Sequence, residues 1–280
     1  MSGDFTPGRA VELAPGIRRV VARNPGPLTG PGTNTYLVGV EEIAVVDPGP
    51  ADPLHVEAIV AAAGGSIGWV LATHTHRDHS PACLLLRERT GAIVVGRRGP
   101  RDGRQDRRFA PDLEPGDGER VLIEGFSLRC VPTPGHASNH VCWLVEESGW
   151  LMSGDHILGD VSPVILPPDG DMGDYLDSLA RLRGLPLSRV APGHGPVIDS
   201  PVGAIDALVA HRLRREARVL AALDAAQPAA LDDLLPGVYA DVDASLHELA
   251  RNTLLAHLIR LERLGRAEQA GPGWRRTAAG

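Results

Sequence analysis

Apolar and polar residues follow two different spacings along this chain, and the elements change where the spacing does. Through residues 17 to 47 extended segments alternate, as strands do when successive side chains point to opposite faces. A helix is predicted over Pro53 to Ala63, closed by Gly64-Gly65. Next come a strand over Gly68 to Thr73, a helix over about Ser80 to Arg89 and a strand over Ala92 to Val95. Residues 97 to 119 are dense in Arg, Asp, Gly and Pro and read as irregular. Two hairpin-like strand pairs are expected over residues 120 to 153. A helix over about Gly173 to Leu182 has apolar spacing at Tyr175, Leu176, Leu179 and Leu182, and Ser188 to Val190 reads as one more strand. Strand-rich runs separated by helices predict an α/β arrangement of sheets covered by helices. No repeat stands out at solenoid periods.

After about Ala204 the pattern becomes helical. Ile205 to Leu223 is long and amphipathic, Leu231 to Val238 follows a break at Pro228, and Leu246 to Leu264 carries leucines at helical spacing. Two short extended pieces, near 267 to 269 and 274 to 277, flank Gly271-Pro-Gly273. Three helices followed by a β-ribbon is the order of a winged helix. The expected division is therefore residues 1–204 and residues 205–280. The second unit is expected either to bind nucleic acid or to act as a structural cap that shapes a cleft.

Composition narrows these choices. All basic residues are arginine, with no lysine, and the formal net charge is −7. From Ala207 onward 10 arginines face 9 acidic residues, so the helical tail lacks the basic excess that non-specific nucleic-acid binding favours. At 280 residues the chain can bury about three quarters of its unfolded surface without disulfide staples. The three cysteines, Cys83, Cys130 and Cys142, sit in apolar stretches and predict reduced thiols. The segment from Met1 has neither a basic region nor an apolar core of the signal-peptide kind, and no apolar run suits a membrane span. A cytoplasmic location follows as the expectation, and the Arg, Ala, Gly and Pro usage suggests a bacterial source with a GC-rich genome. A local arginine cluster, Arg97, Arg98, Arg101, Arg104, Arg107 and Arg108, is broken by Asp102 and Asp106. It reads either as a solvated loop or as a site for an anionic substrate.

The chemistry is concentrated in His74-Thr-His76-Arg-Asp78-His79. Four side chains of the kinds that bind borderline divalent metals lie within six residues, just where an apolar strand should end. Three later strand ends carry similar groups on small-residue turns: Thr133-Pro-Gly-His136, Ser153-Gly-Asp155-His156 and Ala191-Pro-Gly-His194. Four strand ends converging on one point would build a rigid metal site. His55, His211, His247 and His257 lie in expected helices and read as structural or exposed. His156 reads as packing or as support behind the site. His140, four residues after His136, is a candidate for facing substrate or donating a proton.

This set resembles the metallo-β-lactamase superfamily, whose motif is HxHxDH followed by a His, a bridging Asp and a last His. The resemblance implies an αββα sandwich with the site at one edge between its two sheets. It assigns His74, His76 and His136 to one metal, Asp78, His79 and His194 to a second, and Asp155 to a bridge between them. Asp47, in Ile43-Ala-Val-Val-Asp47-Pro-Gly, matches a motif residue that orients a ligand. Asn24-Pro-Gly-Pro27, Gly32-Thr-Asn-Thr-Tyr-Leu-Val38 and Tyr239-Ala-Asp-Val-Asp243 narrow the resemblance to the beta-lactamase-like protein 2 group. Members of that group join a metallo-β-lactamase core to a winged-helix-like domain, and a characterised branch cleaves single-stranded RNA.

The resemblance implies a hydrolase with two divalent ions, zinc first, with Mn2+ or Fe2+ as alternatives. A hydroxide held between the metals would attack an ester, thioester or phosphodiester, since coordination lowers the pKa of water to about 7. Asp78 would orient that nucleophile as well as ligate, and His140 would protonate the leaving group. Asn34 is a candidate hydrogen-bond donor to substrate, with a turn-forming role as the alternative. The expected partners are a small-molecule substrate or RNA, with a homodimer possible and no membrane. Two other readings stay open: glyoxalase II-type thioester hydrolysis, and an iron-dependent persulfide dioxygenase-like reaction.

Overall fold

The structure is a computed structural model that describes residues 4–101, 103–159, 161–224 and 227–277. Met1 to Gly3 and Asp102, which entered the reading above, lie outside the described residues.

The first sheet holds β1 (Ala10–Ala14), β2 (Ile17–Val21), β3 (Asn34–Val38), β4 (Glu42–Val46), β5 (Ser66–Leu71) and β6 (Ile93–Val95), in that spatial order. β1 to β4 pair antiparallel, whereas β4, β5 and β6 run parallel. Parallel pairing requires crossovers, which α1 (Pro53–Ala63) and α2 (Ala82–Thr90) supply. The Asp52 carboxylate caps α1 by accepting from the Leu54 N–H, Pro53 opens the helix, and Gly64 closes it in the left-handed region. The second sheet runs β11 (Arg189–Pro192), β10 (Trp150–Gly154), β9 (Val141–Val145), β8 (Phe126–Pro132) and β7 (Arg120–Ile123). Its helices are α3 (Met172–Arg183), capped by the Asp171 carboxylate, and α4 (Pro201–Ala222).

The sequence of β9 shows why two layers of helix enclose two sheets. All five of its residues are buried. Val141, Trp143 and Val145 face the first sheet, packing with Ile17, Tyr36, Val46 and Leu71. Cys142 and Leu144 face the other way, onto Tyr175, Leu179 and Leu182 of α3. A strand covered on both faces carries a continuous apolar run instead of an alternating one. On the outer face of the first sheet, Val20, Val45 and Val70 pack against Val56 and Ile59 of α1 and Leu86 of α2. Trp143 also ties the sheets together, its Nε1–H donating to the Ala72 carbonyl at 3.3 Å. The result is an αββα sandwich.

The C-terminal unit contains α5 (Leu231–Val238), a 3-10 turn at Ala244–Leu246, α6 (His247–Arg263) and a ribbon of β12 (Ala267–Ala270) and β13 (Gly273–Arg276). This is a winged-helix arrangement with its own core around Val219, Leu235, Leu254, Leu258 and Trp274. One helix serves both units. α4 begins at Pro201, and Ile205 and Leu208 pack in the sandwich core, whereas Val219 and Leu220 pack in the winged helix. Ala256 of α6 also reaches the sandwich core, and Glu216 of α4 accepts from Arg260 of α6. A division at residues 204 and 205 thus falls inside α4. No helix among the described residues is long and apolar enough to cross a membrane.

Candidate metal centre

Four strand ends deliver the site. His74 follows β5, His136 follows β8, Asp155 follows β10, and His194 follows β11. The two sheets are fastened at this edge. The Asn34 backbone N–H donates to Gly193 O at 2.8 Å, and its side-chain Nδ2 donates to Pro192 O and Gly195 O, both at 2.9 Å. Tyr36 Oη donates to Pro192 O at 2.8 Å. Asn34 is therefore a buried strand residue whose amide donors are spent on the His194 turn. Neither role considered from the sequence, substrate contact or turn former, describes it.

The titratable side chains gather in two groups: His74, His76 and His136; and Asp78, His79, Asp155 and His194. Within each, the potential donor atoms lie within 4.8 Å of one another. His76 Nδ1 is 3.0 Å from both His74 Nε2 and His136 Nε2. In the second group, Asp155 Oδ1 is 3.4 Å from His79 Nε2 and 3.3 Å from His194 Nε2, and Asp78 Oδ2 is 3.2 Å from His194 Nε2. The other Asp155 oxygen lies 3.8 Å from His136 Nε2, so one carboxylate faces both groups.

Neighbouring acceptors set the tautomers. His79 Nδ1–H donates to Asp47 Oδ2 at 2.9 Å, and His136 Nδ1–H donates to Val164 O at 2.7 Å. His194 Nδ1 faces Gly32 O at 3.3 Å. Thr73 Oγ1 donates to Asp47 Oδ2, which leaves it to accept from His74 Nδ1–H at 3.0 Å. With the proton on Nδ1, neutral His74, His79, His136 and His194 turn their Nε2 lone pairs to the interior, whereas His76 presents its Nδ1, the arrangement metal-binding histidines require. Asp47 reaches this position at φ 50°, and its Oδ1 accepts from the Thr73 N–H. Thr73, Val164 and Gly32 escaped the sequence reading. Thr73 directly precedes His74 and could have been suspected, but no local signal marks a carbonyl such as that of Val164.

The electrostatics suit cations. Burial pushes the His74 imidazole well below its ordinary pKa, and burial with His136 brings His76 to about 3. Burial also opposes a charge on His79 and His194, but the surrounding carboxylates prevail; Asp155 holds His194 up at about 9. For Asp78, burial works against ionisation, yet His79 and His194 keep it ionised with a pKa of about 2. Among the described residues, His79 Nε2, His194 Nε2 and Asp155 Oδ1 are buried with no hydrogen-bond partner. Once a cation displaces the protons that His79 and His194 carry, these three atoms beside two carboxylates fit divalent metal ions, and imidazole with carboxylate is a donor set that zinc accepts. Asp47→Asn keeps the shape but removes the charge behind His79. Metal affinity is expected to fall about 10- to 100-fold, read by competition with a chromophoric chelator; unchanged affinity would refute the orienting role.

Two further histidines sit behind the site. His140 is fully buried, its ring 5.0 Å from that of His74 and its Nδ1 2.8 Å from Thr133 Oγ1. A side chain with no exposure does not reach substrate, which corrects the proton-donor reading. His156 is also fully buried and packs on the Tyr175 ring at 4.7 Å. His55 lies under β3 with its Nε2 2.9 Å from Thr35 Oγ1, and His257 is buried beside Glu216. His247 Nε2–H donates to Val242 O, and His211 is half-buried on α4. At the mouth, Arg104, Leu166 and Asp169 stand around His76 and His136.

An αββα sandwich with clustered His and Asp side chains at one sheet edge defines a class of metal-dependent enzyme. The pattern of the Metallo-beta-lactamase superfamily matches residues 28–194, and that of the beta-lactamase associated winged helix domain matches residues 230–274. The chain belongs to the metallo-β-lactamase superfamily and is an enzyme of the hydrolase kind. The Beta-lactamase-like protein 2 homolog of Caenorhabditis elegans is 30% identical over 253 residues, spanning 87% of this chain and 83% of that protein. The Atrochrysone carboxyl ACP thioesterase of Aspergillus chevalieri is 33% identical over 217 residues, spanning 75% of this chain and 67% of that one. A metallo-beta-lactamase family protein from Thermus thermophilus superposes with a TM-score of 0.78 at 27% identity, covering 95% of this chain and 100% of that one.

Proposed function

We propose that this protein is a dinuclear-metal thioester hydrolase. The observation that carries the reading is the Asp155 carboxylate, which directs one oxygen at His79 and His194 and the other towards His136. His74, His76 and His136 would hold one cation and Asp78, His79 and His194 the other, with Asp155 shared; zinc suits these donors. Bound there, the ions would acidify a water and polarise the acyl carbonyl. The thioesterase named among the relatives supports a thioester over other acyl compounds.

The chain's own groups prepare that reaction. Asp78, 29% exposed at its side chain, is the carboxylate of the centre most open to solvent, and His194 and His79 keep it ionised. It is placed to accept the proton of an incoming water. Addition of that water to the acyl carbon and cleavage of the carbon–sulfur bond yield a carboxylic acid and a thiol. A thiol leaves readily without a strong acid, so the reaction does not need His140. The αββα walls position substrate at the sheet edge and exclude bulk water from the buried imidazoles.

The test is metal content together with turnover of a simple acyl thioester, a phosphodiester and single-stranded RNA. The reading expects about two metal ions per chain and thioester cleavage above the other two. RNA or phosphodiester cleavage without thioester turnover would overturn it.

A further inference from the structure

The Arg97–Arg108 segment is the motif that the metal centre leaves unexplained. Arg98, Arg101, Gln105, Arg107 and Phe109 line a cavity of about 380 Å³, within the range of ligand sites. Among the described residues its lining holds three arginines and one carboxylate, that of Asp106. Arg98 pairs with Glu114, and Asp106 accepts from Ser80 Oγ. Arg101 and Arg107 are exposed and make no ion pair or side-chain hydrogen bond among the described residues.

The loop that lines the cavity is bound to the segment that carries His76. Gln105 forms an isolated antiparallel bridge with His76. Its Oε1 accepts from Thr75 Oγ1 at 2.7 Å, and its Nε2 donates to Asp169 Oδ2 at 2.9 Å. Asp106 N–H donates to Thr75 O at 2.6 Å, so the loop is bound to the ligand-bearing segment on both sides of Gln105. A Cβ on Gly99 would lie 2.3 Å from Thr75 Oγ1, which shows how closely the loop follows that segment. Arg104 continues the basic lining to the mouth beside His76 and His136.

We infer that this cavity is an anion subsite which binds the phosphate of the thiol half of the substrate, through Arg101 and Arg107. The inference rests on the thioesterase reading. A thioester carried on a phosphopantetheine arm puts a phosphate at a distance from the sulfur, where a second basic site beside the reaction centre can hold it. Guanidinium pairs with phosphate through two parallel hydrogen bonds, stronger than neutral ones. On a chain of net charge −7, a concave basic patch selects for the anionic end of a ligand.

The test compares pantetheine, phosphopantetheine and coenzyme A as ligands of the full chain by calorimetry, alongside turnover of the acetyl thioester of each. Phosphopantetheine is expected to bind at least about tenfold tighter than pantetheine. Arg101→Ala with Arg107→Ala should erase that ratio while leaving pantetheine unchanged, and the two lysine replacements should restore part of it. Equal gains for phosphopantetheine and coenzyme A mean that the shared phosphate is recognised; a gain for coenzyme A alone, or a loss on all three ligands in the alanine variant, overturns the assignment. Turnover of acetyl-pantetheine with no phosphate preference sinks the subsite and keeps the thioesterase. Phosphate-dependent binding without turnover of any thioester sinks the thioesterase reading, and with it the thiol half as the ligand.

Discussion

Asp155→Asn is expected to lower kcat/KM for thioester hydrolysis by about 10³-fold, equivalent to roughly 4 kcal/mol of transition-state stabilisation. The carboxylate places one oxygen 3.3 Å from His194 Nε2 and 3.4 Å from His79 Nε2, and the other 3.8 Å from His136 Nε2. Asparagine fills the same volume but has no negative charge, and it turns an NH2 donor towards one of the two histidine groups. A cation on that side would meet a positive dipole instead of an anion. Metal content should fall from about two ions per chain towards about one. Folding should survive, because His79 and His194 shed their protons once the carboxylate that holds them charged is gone, and no unpaired buried charge remains. The check is elemental analysis, thermal melting and turnover on one preparation. Wild-type turnover with full metal content would end the bridging role.

What the sequence discloses depends on how far its partners lie along the chain. His74, His76, Asp78 and His79 were legible because four ligand types sit within six residues after an apolar strand. Strands and helices were legible where one face is apolar; β1 was not, because none of its five residues is buried and its alternation is too short to stand out. Asn34 was misread because its decisive partners, Pro192 and Gly195, stand 158 and 161 residues away. Within Gly-Thr-Asn-Thr it has the local appearance of a turn, and only the closing of two sheets shows it as a fastener. His140 was misread for a related reason. Its nearness to His136 in sequence says nothing about which side of β9 its ring takes, and the ring lies behind His74. The start of α4 was within reach, since Pro201 after Ser200 is a usual way to open a helix. That the same helix serves two cores is a property of packing, and no local pattern carries it.

Gly193→Ala should be nearly as harmful as loss of a ligand, although Gly193 contributes no side chain. A Cβ there would lie 2.5 Å from Asp155 Oδ1 and 2.7 Å from His79 Cε1, both closer than carbon tolerates. The backbone has little room to retreat. Gly193 N–H donates to Gly154 O at 2.8 Å, and Gly193 O accepts from Asn34 N–H at 2.8 Å, so the turn is held from both sheets. The methyl must instead push Asp155 or His79 away from the centre. A displacement near 1 Å at a reacting centre lowers rates by about 10²-fold. Overpacking of this kind reduces stability by about 1–3 kcal/mol, so the variant should still fold. The expected signature is a folded protein whose metal affinity and kcat both drop, and Gly184→Ala, with no backbone or side-chain atom closer than 3.5 Å to its new Cβ, serves as the control. If Gly193→Ala binds metal and turns over like the parent, the turn is not what fixes Asp155, and the placement of the bridging carboxylate must come from β10 alone.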